Sequence, residues 1–459
     1  MDGKDCADVQ TSKGILALPL EVLEHTLLFC HPRDVARFSK TCCFAFHLVY
    51  RSADQYFWRQ LFIVLFDDPR HGVPPFRADP SSYDWKGQLV RRMKAERDTF
   101  ADAGDRGSAL ETFVSVAEEA LPISRISDDP PASRNVGWLD NIFRNSDLLK
   151  ASFSPHEAQF GDRIKAYMAL SFMEEDDDDE AALRTRSRCI VYDLRNYNDG
   201  NNWGPYLLDG TINWTHIDSI VNVVASNLRE QPSEYIPRPP VGLQAVRAYS
   251  APGDYTGPNW AGVEGTWRRY VCFMDYRQVS IGRPYPRTDY ELCTGIYLVR
   301  SLPSPIFLCS SSPLSAFNFS GSHEGPRNPS FFSDRGFREA TRLIELNIHL
   351  IPREKLRINF PSGEPPLHAH PLYETLYFSG TSRGASTGHE AIVQGFVHMG
   401  RDNIPRWRLT SIHDGEPQWC SEGAQIGNVG SAIGVAGTWS AFNHGDGDPV
   451  GPFWFWKIA

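Results

Sequence analysis

Lysine is scarce in this chain. Only nine of its 46 basic residues are lysine, and from residue 261 onward only Lys355 and Lys457 remain. Codon usage accounts for this without any function; the sharper alternative is a chain spared from lysine-directed modification. Basic residues as a whole are outnumbered by 56 acidic ones, for a net charge of −10. Nucleic acid is disfavoured as a partner, because phosphate binding needs a basic surface. Cysteine occurs nine times, an odd count with no C-x-x-C pair. That argues against zinc and against a disulfide framework, and leaves buried reduced thiols as the expectation. The longest apolar run near the N-terminus, Leu61 to Phe66, is far too short to span a membrane. The opening MDGKDCADVQTSKG is polar and lacks a signal-peptide core. The expectation is a cytoplasmic and/or nuclear chain with no membrane partner.

Catalytic patterns are equally thin. Gly427 to Gly437 (GNVGSAIGVAG) forms neither G-x-G-x-x-G nor a P-loop, so nucleotide binding has no support. Ser411, His413 and Asp414 are hydrolase residue types. Three groups within four positions of a strand end cannot easily hydrogen-bond in series, and the chain is read as holding no G-x-S-x-G nucleophile elbow. Cys420 lies near His413 in sequence only, which does not make a dyad. His368 and His370 would share one side of an extended segment, yet Pro365, Pro366 and Pro371 surround them without further ligands. No catalytic residue, cofactor or metal is expected.

What the chain does have is an organised N-terminus, Leu16 to Phe62. Pro19 suits a first helical position, and Leu20, Leu23, Leu27 and Cys30 then recur at helical spacing. His31-Pro32 ends that helix and starts another carrying Val35, Phe38 and Cys42. A third holds Phe44 and Leu48. Asp54 reads as the N-cap of a turn with Trp58, Leu61 and Phe62. About fifty residues this apolar cannot bury everything alone.

Residues 67–82 are rich in proline and charge and read as a linker. Helices are expected over Tyr83–Phe100, Ala109–Leu121, Asn141–Leu149, Pro155–Met173 and Trp214–Leu228, with a polar loop at 126–135. The acidic run Glu174 to Glu180 reads as a solvated loop, and Cys189 to Asn196 (CIVYDLRN) as a strand. A proline-rich linker covers Gln231 to Val241. From about Asn259 the texture becomes short alternating runs: Trp267–Tyr276, Arg342–Leu350, Glu374–Ser379, Ala391–Met399, Trp407–His413 and Phe453–Ile458. Such runs suggest a sandwich or a barrel. Glycines in the strand-like 427–437 segment would permit bends at barrel corners. Aromatics at a barrel mouth beside Arg268, Arg406 or Arg408 could form a peptide pocket.

The Leu18-Pro19 start, the Pro32-Arg33-Asp34-Val35 turn, Cys42-Cys43 and Phe57-Trp58-Arg59 resemble the F-box, over roughly residues 14–62. The C-terminal half resembles barrel-bearing F-box proteins of the fungal (basidiomycete) type, with a lipocalin-like β-barrel. The carrying residues are Glu264-Gly265-Thr266-Trp267-Arg268, Arg406-Trp407, Trp419 to Gly427, Gly434-Val435, Gly437-Thr438-Trp439 and Asp448 to Trp454. The resemblance implies an α+β chain: a three-helix F-box (12–63), a mainly helical connector (83–230) and an antiparallel β-barrel (259–459). It implies docking on a Skp-type subunit, and through it cullin, by Leu18, Pro19, Leu23, Leu27, Val35, Phe38 and Trp58. Seven such side chains would contribute on the order of 10–20 kcal/mol gross, against roughly 4–15 kcal/mol for association.

The expected function is therefore a non-enzymatic substrate adaptor of an SCF-type ubiquitin ligase, whose barrel captures an unidentified protein substrate. Two alternatives stay open. One is a small-ligand barrel; the other is a Skp-bound scaffold acting outside the ligase. An ordinary N-terminal helical subdomain would account for the first helices without any partner.

Overall fold

Proline and short polar side chains set where the first helices begin. In the computed structural model, residues 14–51, 55–101, 104–123, 132–169, 177–231, 237–255, 257–274, 332–333, 337, 339–358, 370–385, 389–444 and 450–459 are described. Two compact units result. The first takes residues 1–72, 76–121 and 132–148, the second residues 73–75, 122–131 and 149–459. The division falls inside the 83–230 stretch rather than at its ends.

The helices of the first unit are α1 (Leu20–Leu27), α2 (Pro32–Phe38), α3 (Cys43–Tyr50), α4 (Tyr56–Leu65), α5 (Trp85–Phe100), α6 (Arg106–Glu118) and α7 (Arg134–Arg144). Pro19 stands at the N-cap of α1, one residue before the expected place, where its missing N–H still costs nothing. His31 caps α2 through Nδ1, which accepts from the Arg33 amide at 3.2 Å, with Pro32 following as the first helical residue. Cys42 caps α3: its Sγ accepts from the Ala45 amide at 3.4 Å. Asp54 lies outside the described residues. Leu23, Leu27, Val35, Leu48, Phe57, Trp58, Leu61 and Phe62 pack with Trp85 and Leu89 of α5 into one core. The α4 stripe thus finds in α5 the apolar cover that the N-terminal segment lacks.

Asp67 ties this unit together. It is buried and accepts from the backbone amides of Leu121 and Arg134, each at 2.8 Å, and from the Ser133 hydroxyl. Its own amide donates to Asn135 Oδ1 at 3.0 Å. Ser133 Oγ also accepts from the Val136 amide at 3.1 Å, and so starts α7 at Arg134. The helix expected from Asn141 begins seven residues earlier for that reason, and Leu148–Lys150 is only a 3-10 turn.

In the second unit, α8 (Pro155–Met168) opens with a capping box between Ser154 and Glu157. Helix α9 covers Asp177–Val191. The end of the acidic run, residues 177–180, is therefore helical rather than a loop, and negative charge there suits the positive end of the helix dipole. Residues 174–176 lie outside the described part. The CIVYDLRN segment is no strand: it completes α9 and then turns through a 3-10 segment, Leu194–Asn196. A four-residue apolar run carries no period that separates helix from strand. Helix α10 (Trp214–Arg229) buries every residue from Trp214 to Leu228 except Thr215. It packs against α8 and α9 on one side and against the sheet on the other, so both of its faces are covered. A short α11 (Leu243–Val246) follows.

The sheet is a closed barrel of eight antiparallel strands among the described residues. They are β1 (Gly265–Met274), β2 (Glu339–Ile351), β3 (Leu376–Gly384), β4 (Glu390–Met399), β5 (Pro405–His413), β6 (Glu416–Gln425), β7 (Val435–Ala441) and β8 (Val450–Lys457). Each pairs with the next, and β8 returns to β1 with Tyr270 opposite Trp454. The chain is thus α+β. Each alternating run falls on a strand, except that Glu374 and Thr375 precede β3, Ile458 follows β8, and Asp275 and Tyr276 lie outside the described residues. Strand β6, EPQWCSEGAQ, was not expected, because its polar and glycine content hides the alternation. The 427–437 segment is not one strand either. Gly427, Gly430 and Gly434 have φ of 89°, 66° and 90°, values that turn the chain between β6 and β7.

Candidate functional site

Period-two alternation sends every second residue of each strand into the barrel. On β1 these are Trp267, Arg269, Val271 and Phe273. At one end the interior is filled. Trp267 and Trp407 meet edge-on with ring centroids 5.1 Å apart, and Phe455 lies 5.1 Å from the first and 5.5 Å from the second. Toward the end of β1 that carries Phe273, facing positions are small: Ser382 and Gly384 on β3, Ala391 on β4 and Ser411 on β5. The space they leave is a cavity of about 130 Å³, walled also by Arg269, Phe273, His413, Trp419 and Trp439.

Arg269 lies at the junction of the filled and hollow halves. It is 4% exposed. One terminal nitrogen donates to Ser421 Oγ at 2.6 Å, and the guanidinium lies over the Phe453 ring at 4.7 Å. Its Nε has no hydrogen-bond partner, and no carboxylate pairs with it among the described residues. Burial pushes its pKa down to about 10, so it stays protonated at neutral pH. His413 also faces the cavity, and burial lowers its pKa.

The arginines expected at a barrel mouth are elsewhere. Arg268 is half-buried and on the outward side of β1, opposite in sense to Arg269. Arg406 and Arg408 are buried against the outside of the wall, paired with Asp402 and Glu422 at 2.8 and 2.7 Å. The error was one of parity: adjacent strand residues point to opposite faces.

Ser411 and His413 both line the cavity, whereas Asp414 occupies the following turn at φ 51°. A G-x-S-x-G spacing does occur, Gly380 to Gly384, but it runs straight along β3 instead of forming a strand-to-helix elbow. Cys420 is buried, burial raises its thiol pKa, and alternation puts it behind the wall from His413. His368 lies outside the described residues. Nδ1 of His370 accepts from the Leu372 amide at 3.2 Å. No group of three or more His, Cys, Asp or Glu residues fit to hold a metal occurs among the described residues. Nor does any described helix have the length and apolarity to cross a membrane.

In the helical unit, the seven residues expected to dock divide sharply. Leu23, Leu27, Val35 and Trp58 are buried in the core and Phe38 packs half-buried against it, while Leu18, at 42% exposure, and Pro19 lie at the surface. Sequence reasoning missed other apolar side chains that the fold leaves in solvent: Ile15, Leu20, Val22, Phe44, Phe46 and above all Phe29, at 79% exposure. Phe29 has an edge-on contact with His25 at 5.2 Å. For Ile15, Val22, Phe29 and Phe46 the signal was present as a surplus, because they are apolar yet fall outside the expected stripes; Leu20 and Phe44 were expected on those stripes and are exposed nonetheless.

Comparison with family models, with curated proteins and with solved structures gives no match for this chain.

Proposed function

We propose that the chain is a non-catalytic substrate adaptor of an SCF-type ubiquitin ligase, with an F-box-like N-terminal element and a lipocalin-like barrel. The observation that carries this reading is the row of exposed large apolar side chains between Ile15 and Phe46, with Leu18, Leu20, Val22, Phe29 and Phe44 among them. Solvent-exposed apolar groups at this density favour a partner surface. The Skp-type subunit is the partner that the F-box resemblance of this segment implies. Leu23, Leu27, Val35 and Trp58 would act indirectly, by holding α1 to α4 in shape. The adaptor's contribution to ubiquitin transfer is proximity, since it holds a substrate lysine near the charged conjugating enzyme.

Co-purification of the full chain with a Skp-type subunit and cullin tests this, beside a Leu20→Asp, Phe29→Asp double variant. Binding by the wild type and its loss in the variant support the reading. A wild type that retains neither partner overturns it. Recovery of Skp without cullin favours a scaffold outside the ligase.

A second reading, a barrel that takes a small ligand, is favoured by one observation. The interior is not filled throughout: aromatic rings close one end, and small side chains leave the other hollow.

A further inference from the structure

We propose that the barrel cavity binds a small monocarboxylic acid whose apolar body is about the size of one aromatic ring, with its carboxylate held by Arg269. This rests on the small-ligand reading and adds the ligand's chemical class.

The first ground is charge. A buried guanidinium without a carboxylate is costly, and proteins pair or neutralise such groups. The barrel wall does so for Arg406 and Arg408, which have Asp402 and Glu422. Arg269 has one hydroxyl, from Ser421, and the face of Phe453. Its Nε remains without an acceptor. The guanidinium fork matches a carboxylate in two parallel hydrogen bonds. A single negative charge would balance it.

The second ground is size. A cavity of about 130 Å³ is close to the roughly 150 Å³ of an apolar cavity known to admit benzene. The third is the lining. Phe273, Val271, Ile344, Trp419 and Trp439 offer apolar and aromatic surface, and Ser411 adds a hydroxyl. An apolar molecule without charge would fill this space yet leave Arg269 uncompensated. Arg342 lines the cavity as well, with its guanidinium over the Phe273 ring at 5.8 Å, and Arg269 is the more buried of the two.

Benzoate is the probe, titrated into the full chain with tryptophan fluorescence and thermal melting as readouts. Trp419 and Trp439 meet edge-on at 5.3 Å in the cavity wall and should report its occupation. Benzamide is the uncharged control. Benzoate should perturb the fluorescence saturably and raise Tm, with benzamide at least about tenfold weaker, as expected when a charge-assisted hydrogen bond is lost. Arg269→Met should weaken benzoate by the same factor or more. Its own Tm without ligand should equal or exceed that of the wild type, because an unpaired buried charge has gone. Should that variant fail to fold by circular dichroism, the benzoate and benzamide comparison in the wild type decides alone.

Equal binding of benzoate and benzamide overturns the proposal but leaves a small-ligand barrel standing. Binding of neither overturns both. A blocked tripeptide with a free C-terminal carboxylate is the remaining arm. If it binds and benzoate does not, the free small acid is wrong.

Discussion

Arg408 and Glu422 face each other across β5 and β6, with Nε and Oε1 2.7 Å apart and both side chains buried. One residue earlier on β6, on the inner side of the same wall, Ser421 meets Arg269, which has no such partner among the described residues. The wall thus carries one guanidinium matched by the chain itself and one left for something else. Burial raises the Glu422 carboxyl to about 7 while Arg408 opposes the rise. At pH 8 the pair is ionised. Glu422→Ala relieves the cost of burying that carboxylate but strands the Arg408 cation and leaves a cavity, so it should lower stability by about 1–3 kcal/mol. Denaturant unfolding measures this; a loss below about 1 kcal/mol, the level of a surface pair, would show that the pair is solvated.

Asp218 gives a pH dependence of definite sign. It is buried in α10, Asn222 donates to its Oδ2 at 3.1 Å, and burial with the nearby Asp162 raises its pKa to about 7 from 3.8. Above pH 7 it is ionised in both states, and the folded state bears the cost of burial. As pH falls through 7 the folded state takes up the proton first, so stability rises until the unfolded state protonates near 4. Asp218→Asn removes the cost at every pH. The variant should be more stable than wild type by about 2–4 kcal/mol at pH 8, with the advantage shrinking between pH 7 and 4. Tm curves of the two proteins across that range provide the measurement. An advantage independent of pH would mean that Asp218 does not titrate there.

The exposed and the buried apolar residues of the first helices should respond oppositely to substitution. Leu23→Ala removes a core side chain and should cost about 2–4 kcal/mol of stability. Phe29→Ser removes one that is 79% exposed and should change stability by less than about 0.5 kcal/mol. If the surface docks, Phe29→Ser nonetheless weakens co-purification with the Skp-type subunit. Normal binding by Phe29→Ser would remove this residue from the docking surface.

Barrel closure leaves little room at Gly437 in β7. A Cβ there would lie 2.0 Å from the Glu422 carbonyl oxygen of β6. Gly437→Ala should destabilise the barrel by about 1–3 kcal/mol through overpacking. Chemical denaturation tests it. An unchanged midpoint would require the two strands to separate freely at this register.

Much of the architecture was legible in the residue order, because local physics sets it. Pro32 after His31 breaks and restarts a helix, and the alternation of Ile344, Leu346, Ile348 and Leu350 is the inward face of β2. Such patterns pointed to helices followed by the strands of a sandwich or a barrel, while the choice of an α+β chain with a barrel came with the resemblance. Two local errors had local causes. CIVYDLRN is too short to show a period, and Ser133 starts α7 before its apolar stripe appears.

Partnership at a distance was not legible. A stripe of leucines shows that a face is apolar, but not whether α5 will cover it; Leu23 and Trp58 are core because Trp85 and Leu89 arrive from some sixty and thirty residues away. The cavity is likewise a property of the closed barrel. Arg269 and Ser421 stand 152 positions apart, and only the register through β1, β8, β7 and β6 brings them within a hydrogen bond. Helix and strand follow from neighbours along the chain. Burial, pairing of charge and empty space follow from neighbours across it, and these arise only when the barrel closes.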